Sequence, residues 1–130
     1  MADISDLKMT IITNDPAKRY YYTLLFGDKY RVKIATRNVN IPGIQNFRDL
    51  GGYPSYSTKK QVRWGMIYRS AEIDSLECYS RRELRNLGIK TLIDLRASSE
   101  TGRQSPLQKE FNVVHIPLPP EIWKIIHERQ

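Results

Sequence analysis

The chain has 130 residues, the size of one modest domain, and its 40% hydrophobic and 27% charged residues exclude wholesale disorder. Lys and Arg number 21 against 14 Asp and Glu, and the net charge of +7 favours anionic partners such as phosphate esters, nucleic acid or anionic lipid headgroups. The single cysteine, Cys78, excludes an internal disulfide framework, and no apolar run reaches the roughly 18 residues of a membrane span.

The amino-terminal stretch MADISDLKMTIITND has neither a basic leader nor a continuous apolar run. It is therefore not a secretory signal as written. We expect a soluble chain that is cytoplasmic in this form, with a secreted or periplasmic parent if a signal has been removed.

Residues 20–26 and 30–36 predict a β-hairpin. Aromatic and β-branched residues dominate both arms, and Gly27 and Asp28 lie in the turn between them. The stretch NFRDLGG that follows, residues 46–52, is extended and ends in two glycines. These glycines predict a tight turn with positive φ. A phosphate cradle is disfavoured because no helix begins after them.

Residues 61–70, QVRWGMIYRS, predict a further strand with Gly65 as a bulge. Residues 76–88 predict a helix that Gly88 caps at its carboxyl end. The apolar runs IKTLIDLR and FNVVHIPL predict two buried strands, the first covered on both faces, and PPEIWKIIHERQ predicts the start of a last helix opened by proline. The order strand, helix, strand, loop, strand indicates an α/β fold with some parallel pairing.

Three stretches, NFRDLGGY, VRWGMIYRSAEIDSL and LRNLGIKTLIDLRASSE, together resemble the bacterial tyrosine phosphatases of the atypical dual protein and phosphoinositide type. The resemblance covers residues 41–121. It implies an α/β domain, here the amino-terminal part of one at 41–130, with a partial sheet and flanking helices, preceded by an appended hairpin element at 1–40. It also implies a cysteine thiolate nucleophile, no metal or other cofactor, and a phosphorylated protein or a phosphoinositide as substrate of the intact protein.

The sequence departs from this family at the nucleophile. The family pattern His-Cys-x-x-Gly-Lys-Asp-Arg has no counterpart here, and the Cys-x5-Arg spacing counted from Cys78 falls on Leu84. No glycine lies between those two residues to let the backbone wrap around a phosphate. We therefore predict that Cys78 is not a nucleophile and that the chain is an inactive fragment.

Five charged residues are candidates for binding the substrate or supporting the site. Arg48 and Asp49 either brace the floor of the active site, as the resemblance implies, or form a salt-bridged corner, which we favour because buried arginine–carboxylate pairs are usually structural. Arg69 ends a strand, where functional residues often gather, although a solvated strand end is an equal interpretation. Asp94 and Arg96 share a face of the next strand, and we expect a polar network with Arg48 or Asp49.

Glu121 is the candidate general acid. The resemblance places an acidic residue after a strand and a proline-containing turn, although a glutamate early in a helix is also favourable for the helix dipole. Glu100 is expected to be a surface carboxylate, and His115 a hydrogen-bonded residue of the sheet. His127 has no ligand partner at a suitable spacing, so no metal site is predicted.

Two alternatives to a phosphatase fragment are kept. The chain could be a non-catalytic interaction module or pseudo-phosphatase that self-associates through its exposed carboxyl-terminal helix. It could also be a basic polyanion-binding domain, but Lys and Arg are scattered among acids and no nucleic-acid motif accompanies them, so no nucleic acid is expected.

Overall fold

A computed structural model describes residues 9–15, 18–97, 106–119 and 121–122. In chain order these contain β1 (Tyr21–Phe26), β2 (Tyr30–Ala35), β3 (Arg48–Asp49), β4 (Pro54–Ser55), β5 (Lys60–Gln61), β6 (Tyr68–Arg69), α1 (Cys78–Asn86), β7 (Thr91–Asp94), a 3₁₀ helix (Pro106–Lys109) and β8 (Asn112–His115). Three strand pairs are antiparallel, β1 with β2, β3 with β6 and β4 with β5, whereas β7 and β8 are parallel. The predicted α/β class is confirmed.

The hairpin β1–β2 forms as its sequence predicts. Its turn contains Gly27 at φ 58°, a conformation that glycine adopts at no steric cost. The register pairs Tyr22 with Ile34 and Leu24 with Val32 across the two strands. Because cross-strand partners project from the same face, these apolar residues share one side of the hairpin.

Helix α1 ends where its sequence predicts. Gly88 adopts φ 81°, and its N–H donates to the carbonyl of Arg85 at 2.8 Å, while the N–H of Ile89 donates to the carbonyl of Leu84 at 3.2 Å. This pair of bonds is a Schellman motif, which satisfies carbonyls that the helix itself leaves free. No helix of the described ranges has the length and apolar character needed to cross a bilayer.

The predicted strand at 61–70 is wrong in its middle. Only its two ends pair as strands, β5 with β4 and β6 with β3, and residues 64–66 form a turn between them. Gly65 adopts φ 76° in that turn, and its N–H donates to the side chain of Asp49 at 2.8 Å. A tertiary hydrogen bond therefore bends a segment whose alternation favours an extended strand.

The parallel pair β7–β8 is covered on one face only. Leu92 and Val113 pack against the core, but Ile93 is 61% exposed and Val114 is also exposed. The expectation that the first of these strands is buried on both faces is therefore wrong for the described residues, since nothing among them lies against the side of the pair that carries Ile93.

The hydrophobic core lies beneath β3, β6 and the parallel pair. Its buried members come from the segment after β2, from the residues just before α1, from α1 itself and from the 3₁₀ region: Val39, Ile41, Ile44, Phe47, Leu76, Leu84, Leu107 and Phe111. The ring of Phe47 stacks on that of Tyr68 at 5.1 Å between centroids, which joins β6 to this core.

The carboxylate of Asp49 is completely buried and accepts hydrogen bonds from three separate segments. Arg19 Nη2 donates to Oδ2 at 2.9 Å, the N–H of Gly51 donates to Oδ1 at 2.8 Å, and the N–H of Gly65 donates to Oδ2 at 2.8 Å. A buried charge is tolerated only when it is paired and hydrogen-bonded, and this one is both. Asp49 thereby connects the residues just before the hairpin with the turns at Gly51 and Gly65.

Arg37 reinforces the same corner from the other side. Its Nη1 donates to the carbonyls of Asp49 and Gly51, both at 2.8 Å. The guanidinium lies 4.0 Å from the ring centroid of Tyr53 and 5.2 Å from that of Trp64, so two aromatic faces hold it by cation–π attraction.

The two adjacent glycines are required for different reasons. Gly52 adopts φ 78°, as predicted for the turn. Gly51 does not have positive φ, but a Cβ there would lie 2.4 Å from the Cα of Trp64. The backbone of Trp64 therefore approaches so closely that only glycine fits at position 51.

Substituting Gly51 by alanine should cost about 3 kcal/mol of folding free energy, the upper end for overpacking, because the colliding atoms belong to the backbone and cannot rotate away. Gly27→Ala is the matched control, since its Cβ meets open space and only its positive φ is strained, at about 1 kcal/mol. Urea unfolding followed by circular dichroism measures both. Equal losses for the two variants would contradict the close approach.

Asp49→Asn should cost about 3–5 kcal/mol, because it leaves the buried guanidinium of Arg19 without its counter-charge and turns an amide N–H₂ toward backbone donors. Arg48→Ala, one residue away, removes hydrogen bonds only to the side chain of Asn46 and should cost less than about 1 kcal/mol. The same urea titration compares them. A loss below about 1 kcal/mol for Asp49→Asn would show that the corner does not depend on this carboxylate.

Candidate functional site

The carboxyl ends of the parallel strands β7 and β8 bring charged side chains together. Asp94 is the last residue of β7 and lies opposite His115, the last residue of β8. Parallel strands end at the same edge of a sheet, and in α/β proteins that edge is where functional residues usually gather.

Arg96 lies at the centre of this edge and is held first by Asp94. Its Nε is 3.0 Å from Oδ1 and 3.2 Å from Oδ2, its Nη2 donates to Oδ2 at 2.8 Å, and its backbone N–H donates to Oδ1 at 3.0 Å. Such bidentate hydrogen bonding to one carboxylate fixes the plane of the guanidinium.

Two further carboxylates, from the loop between β6 and α1, complete the surroundings of Arg96. Its Nη1 donates to Asp74 at 2.9 Å and to Glu72 at 3.4 Å, and both of these side chains are mainly exposed. The ring Nε2 of His115 is 2.9 Å from the carbonyl oxygen of Arg96, so His115 is hydrogen-bonded as predicted. Arg96 thus ties three segments of the chain together at the sheet edge.

These contacts stabilise the charged form of both partners. Hydrogen bonds from Arg96 lower the pKa of Asp94 below its ordinary value, against a smaller opposing effect of burial. Hydrogen bonds to Asp94 and Asp74 raise the pKa of Arg96 further above its already high value. The pair is therefore an ion pair throughout the physiological pH range.

The expected network between this edge and the NFRDLGG stretch does not form. Asp49 pairs with Arg19, and Arg48 donates to the side chain of Asn46. Asp94 and Arg96 instead bond each other, because residues on either side of Leu95 share a face and are near enough for direct contact. The expected partners were therefore wrong, but each of these four charges does have a hydrogen-bonding partner.

Arg69 lies opposite Arg48 in the register of β3 and β6. Cross-strand partners share a face, so two guanidinium groups extend from neighbouring positions of one small sheet. Within the described residues Arg69 makes no ion pair, and its side chain is exposed. The β3–β6 pair therefore carries two neighbouring positive charges on one face.

Glu121 is exposed at the end of the described chain, where the N–H of Ile122 donates to the carbonyl of Pro119 at 3.0 Å. Its carboxylate makes no ion pair within the described residues. Glu100 and His127 lie outside those residues, as do residues 123–130 of the predicted last helix.

Cys78 and Leu84 occupy positions that exclude a phosphate loop between them. Cys78 is exposed at the first residue of α1, and Leu84 is fully buried in the core two turns later. The segment is helical throughout, so its backbone N–H groups point along the helix and cannot encircle an anion. Across the described ranges, no group of three His, Cys, Asp or Glu side chains could hold a metal ion.

Sequence reasoning missed three contributors to these networks. Arg19 lies 30 residues before its partner Asp49, and no local pattern connects them. Glu72 and Asp74 did carry a signal, because they are two acidic residues two positions apart in the loop between β6 and α1.

Comparison with known proteins identifies the family. Residues 39–130 match the sequence model described as the tyrosine phosphatase family. The triple specificity protein phosphatase PtpB of Mycobacterium tuberculosis (strain ATCC 25618 / H37Rv) is 39% identical over 66 residues, which are 51% of this chain and 22% of that protein. The chain thus spans about a fifth of the curated relative, and the resemblance seen in its sequence is confirmed: it belongs to the tyrosine phosphatase family.

Proposed function

We propose that these 130 residues are the amino-terminal part of a cysteine-dependent phosphatase and have no turnover by themselves. The observation that carries the proposal is that a chain of this family places its one cysteine on a helix, with Leu84 buried where the Cys-x5-Arg pattern needs arginine. The nucleophile loop of the intact protein is then supplied by residues outside this sequence.

The one-sided burial of the parallel pair supports the same proposal. Ile93 and Val114 in the two strands are exposed, as are Leu95 and Ile116, each two residues further along the chain. Strands of a parallel sheet are normally covered on both faces. In the intact phosphatase, further chain covers this face.

Two arginines take different roles in the proposed site. Arg69 contacts the phosphoryl oxygens of substrate, because it is exposed, lies beside Arg48 and has no carboxylate bound to it among the described residues. Arg96 is a positioning residue, since three carboxylates already occupy its donors and a phosphate would have to displace them. Arg48, Asp49 and Asp94 support the site.

Glu121 is the proposed general acid of the intact protein. A thiolate from the missing loop attacks phosphorus, the bond from phosphorus to the leaving oxygen breaks, and Glu121 donates its proton to that oxygen. The substrate class is a phosphorylated protein, as the name of the relative indicates for that enzyme, or a phosphoinositide, as the dual type implies. No metal or other cofactor is required by this chemistry.

The alternative of a non-catalytic module that associates through the carboxyl-terminal helix stays a prediction, because residues 123–130 lie outside the described ranges. The division into elements at 1–40 and 41–130 and the cytoplasmic localisation also stay predictions.

The chain should not hydrolyse para-nitrophenyl phosphate. We expect no release of nitrophenolate above buffer from either the parent or Cys78→Ser, because the exposed thiol of Cys78 has no phosphate-binding loop around it. Intact PtpB is the positive control. Turnover by the parent that Cys78→Ser abolishes would contradict the proposal and make Cys78 the nucleophile.

Arg96→Gln should raise the pKa of Asp94 back toward its ordinary value of about 3.9, because the hydrogen bonds that favour the carboxylate are lost. Since the folded-state pKa in the parent is the lower one, the pair contributes stability above about pH 4 and loses that contribution as the pH falls through the folded value. The contribution of this pair to the free energy of unfolding should be no more than about 1 kcal/mol, because water reaches both side chains.

Carboxyl carbon chemical shifts followed by NMR during an acid titration measure this pKa. Lys90→Gln is the matched control, because it removes the same charge from the start of the same segment without breaking a hydrogen bond to Asp94. An unchanged Asp94 titration in Arg96→Gln, or an equal shift in both variants, would show that Arg96 does not hold this carboxylate.

A further inference from the structure

The hairpin β1–β2 lies outside the residues that match the phosphatase family, which begin at residue 39. None of the core residues in the described ranges belongs to it. Its links to the rest of the described chain include a hydrogen bond between Tyr21 and Tyr68 and one from the indole N–H of Trp64 to the carbonyl of Lys33. Apolar side chains that stay exposed outside a core commonly mark an interaction surface.

One face of the hairpin is entirely apolar. The register places three apolar cross-strand pairs on it, and we call these six residues the apolar face: Tyr22, Leu24, Phe26, Tyr30, Val32 and Ile34. Exposure is greatest at the turn end, where the side chain of Phe26 is 58% and that of Tyr30 is 70% exposed. The aromatic residues are therefore the outermost part of this face.

The hairpin and the residues that flank it are basic. Residues 18–37 contain six Lys or Arg and one Asp, a net charge of +5 out of +7 for all 130 residues. Arg19 and Arg37 are bound internally. The remaining cations, Lys18, Lys29, Arg31 and Lys33, are exposed around the hairpin.

No charge interrupts the apolar face, and the cations lie on the opposite face and in the turn. Arg31 and Lys33 project from the opposite side, paired with Leu25 and Thr23, and Lys29 lies in the turn. Long basic side chains can extend around a strand edge so that the stem covers apolar surface while the charge reaches a polar layer. An apolar face tipped by aromatic residues, with cations in the adjoining turn and on the opposite face, matches the boundary between lipid headgroups and acyl chains.

We propose that this hairpin binds the surface of an anionic lipid bilayer, with Phe26 and Tyr30 inserted at the headgroup level and Lys29 and Arg31 against the lipid phosphates. Nucleic acid fits the surface less well, because half of the apolar face is aliphatic and offers no stacking platform. A second copy of the chain would bring two strongly positive elements together. The binding does not depend on the phosphatase function, since the hairpin precedes the matched residues.

Flotation of the 130-residue protein with lipid vesicles tests the proposal. We expect binding to vesicles of phosphatidylcholine with phosphatidylserine and little binding to phosphatidylcholine alone. The double variant Phe26→Ser/Tyr30→Ser should bind at least about tenfold more weakly. The matched control is Tyr56→Ser, which removes a 95% exposed aromatic side chain outside the hairpin and should bind like the parent.

The charge contribution is measured separately with Lys29→Gln/Arg31→Gln. Each cation near an anionic surface contributes about fivefold in affinity, so this variant should bind roughly 25-fold more weakly. Circular dichroism confirms that each variant folds like the parent, and Tyr30→Ser alone, at the most exposed position of the face, replaces the double variant if that one unfolds.

Four results would overturn the proposal. These are the absence of binding to the phosphatidylserine vesicles, equal binding to both kinds of vesicle, unchanged binding by the serine variant, and a dimer or an oligothymidylate complex that the serine variant abolishes. The last would assign the same face to self-association or to single-stranded nucleic acid. Analytical ultracentrifugation and fluorescence anisotropy with a labelled oligothymidylate detect these two states.

Discussion

The buried carboxylate of Asp49 is the constraint on which the rest of this structure depends. A carboxylate withdrawn from water loses several kilocalories per mole of hydration, and only a full set of partners offsets that loss. Its partners come from the residues before the hairpin, from the glycine turn and from the turn at Gly65. None of these segments can adopt another path without leaving the charge unsatisfied, so one side chain specifies how three pieces of chain meet.

The second arginine–carboxylate pair, Arg96 with Asp94, differs from that of Arg19 with Asp49 because water reaches it. The side chain of Asp49 is completely buried, whereas that of Asp94 retains 21% of its exposure. Asp74 and Glu72, which share Arg96 with it, are more exposed still. Three carboxylates around one guanidinium leave an excess of negative charge at the edge of the sheet. This excess disfavours a phosphate group beside Arg96, whereas Arg48 and Arg69 have no carboxylate bound to them among the described residues.

Local chemistry made part of this fold predictable. The hairpin, helix α1 and its glycine cap follow from residues within a few positions of one another, and the structure has them where the sequence indicates. The strand predicted at 61–70 is broken because the N–H of Gly65 bonds a carboxylate 16 residues earlier. No periodicity contains that information. The partner of Asp49 could not be predicted either, because Arg19 lies 30 residues away in the sequence. The Asp94–Arg96 pair is local, and the spacing of the two residues could have predicted it.

Hydrogen bonds join both strands of the hairpin to the phosphatase elements. Tyr21 of β1 hydrogen-bonds Tyr68, and the indole N–H of Trp64 donates to the carbonyl of Lys33 in β2 at 3.1 Å, while Arg19 just before β1 bonds Asp49. Attachments on different strands oppose rotation as well as separation, which a flexible linker could not do. A hairpin bound to an anionic bilayer would therefore hold the edge with Arg48 and Arg69 at a set orientation to that bilayer. The hydrogen bond from Arg19 to Asp49 thus helps to set the orientation of Arg48 and Arg69 to a bilayer that the hairpin binds.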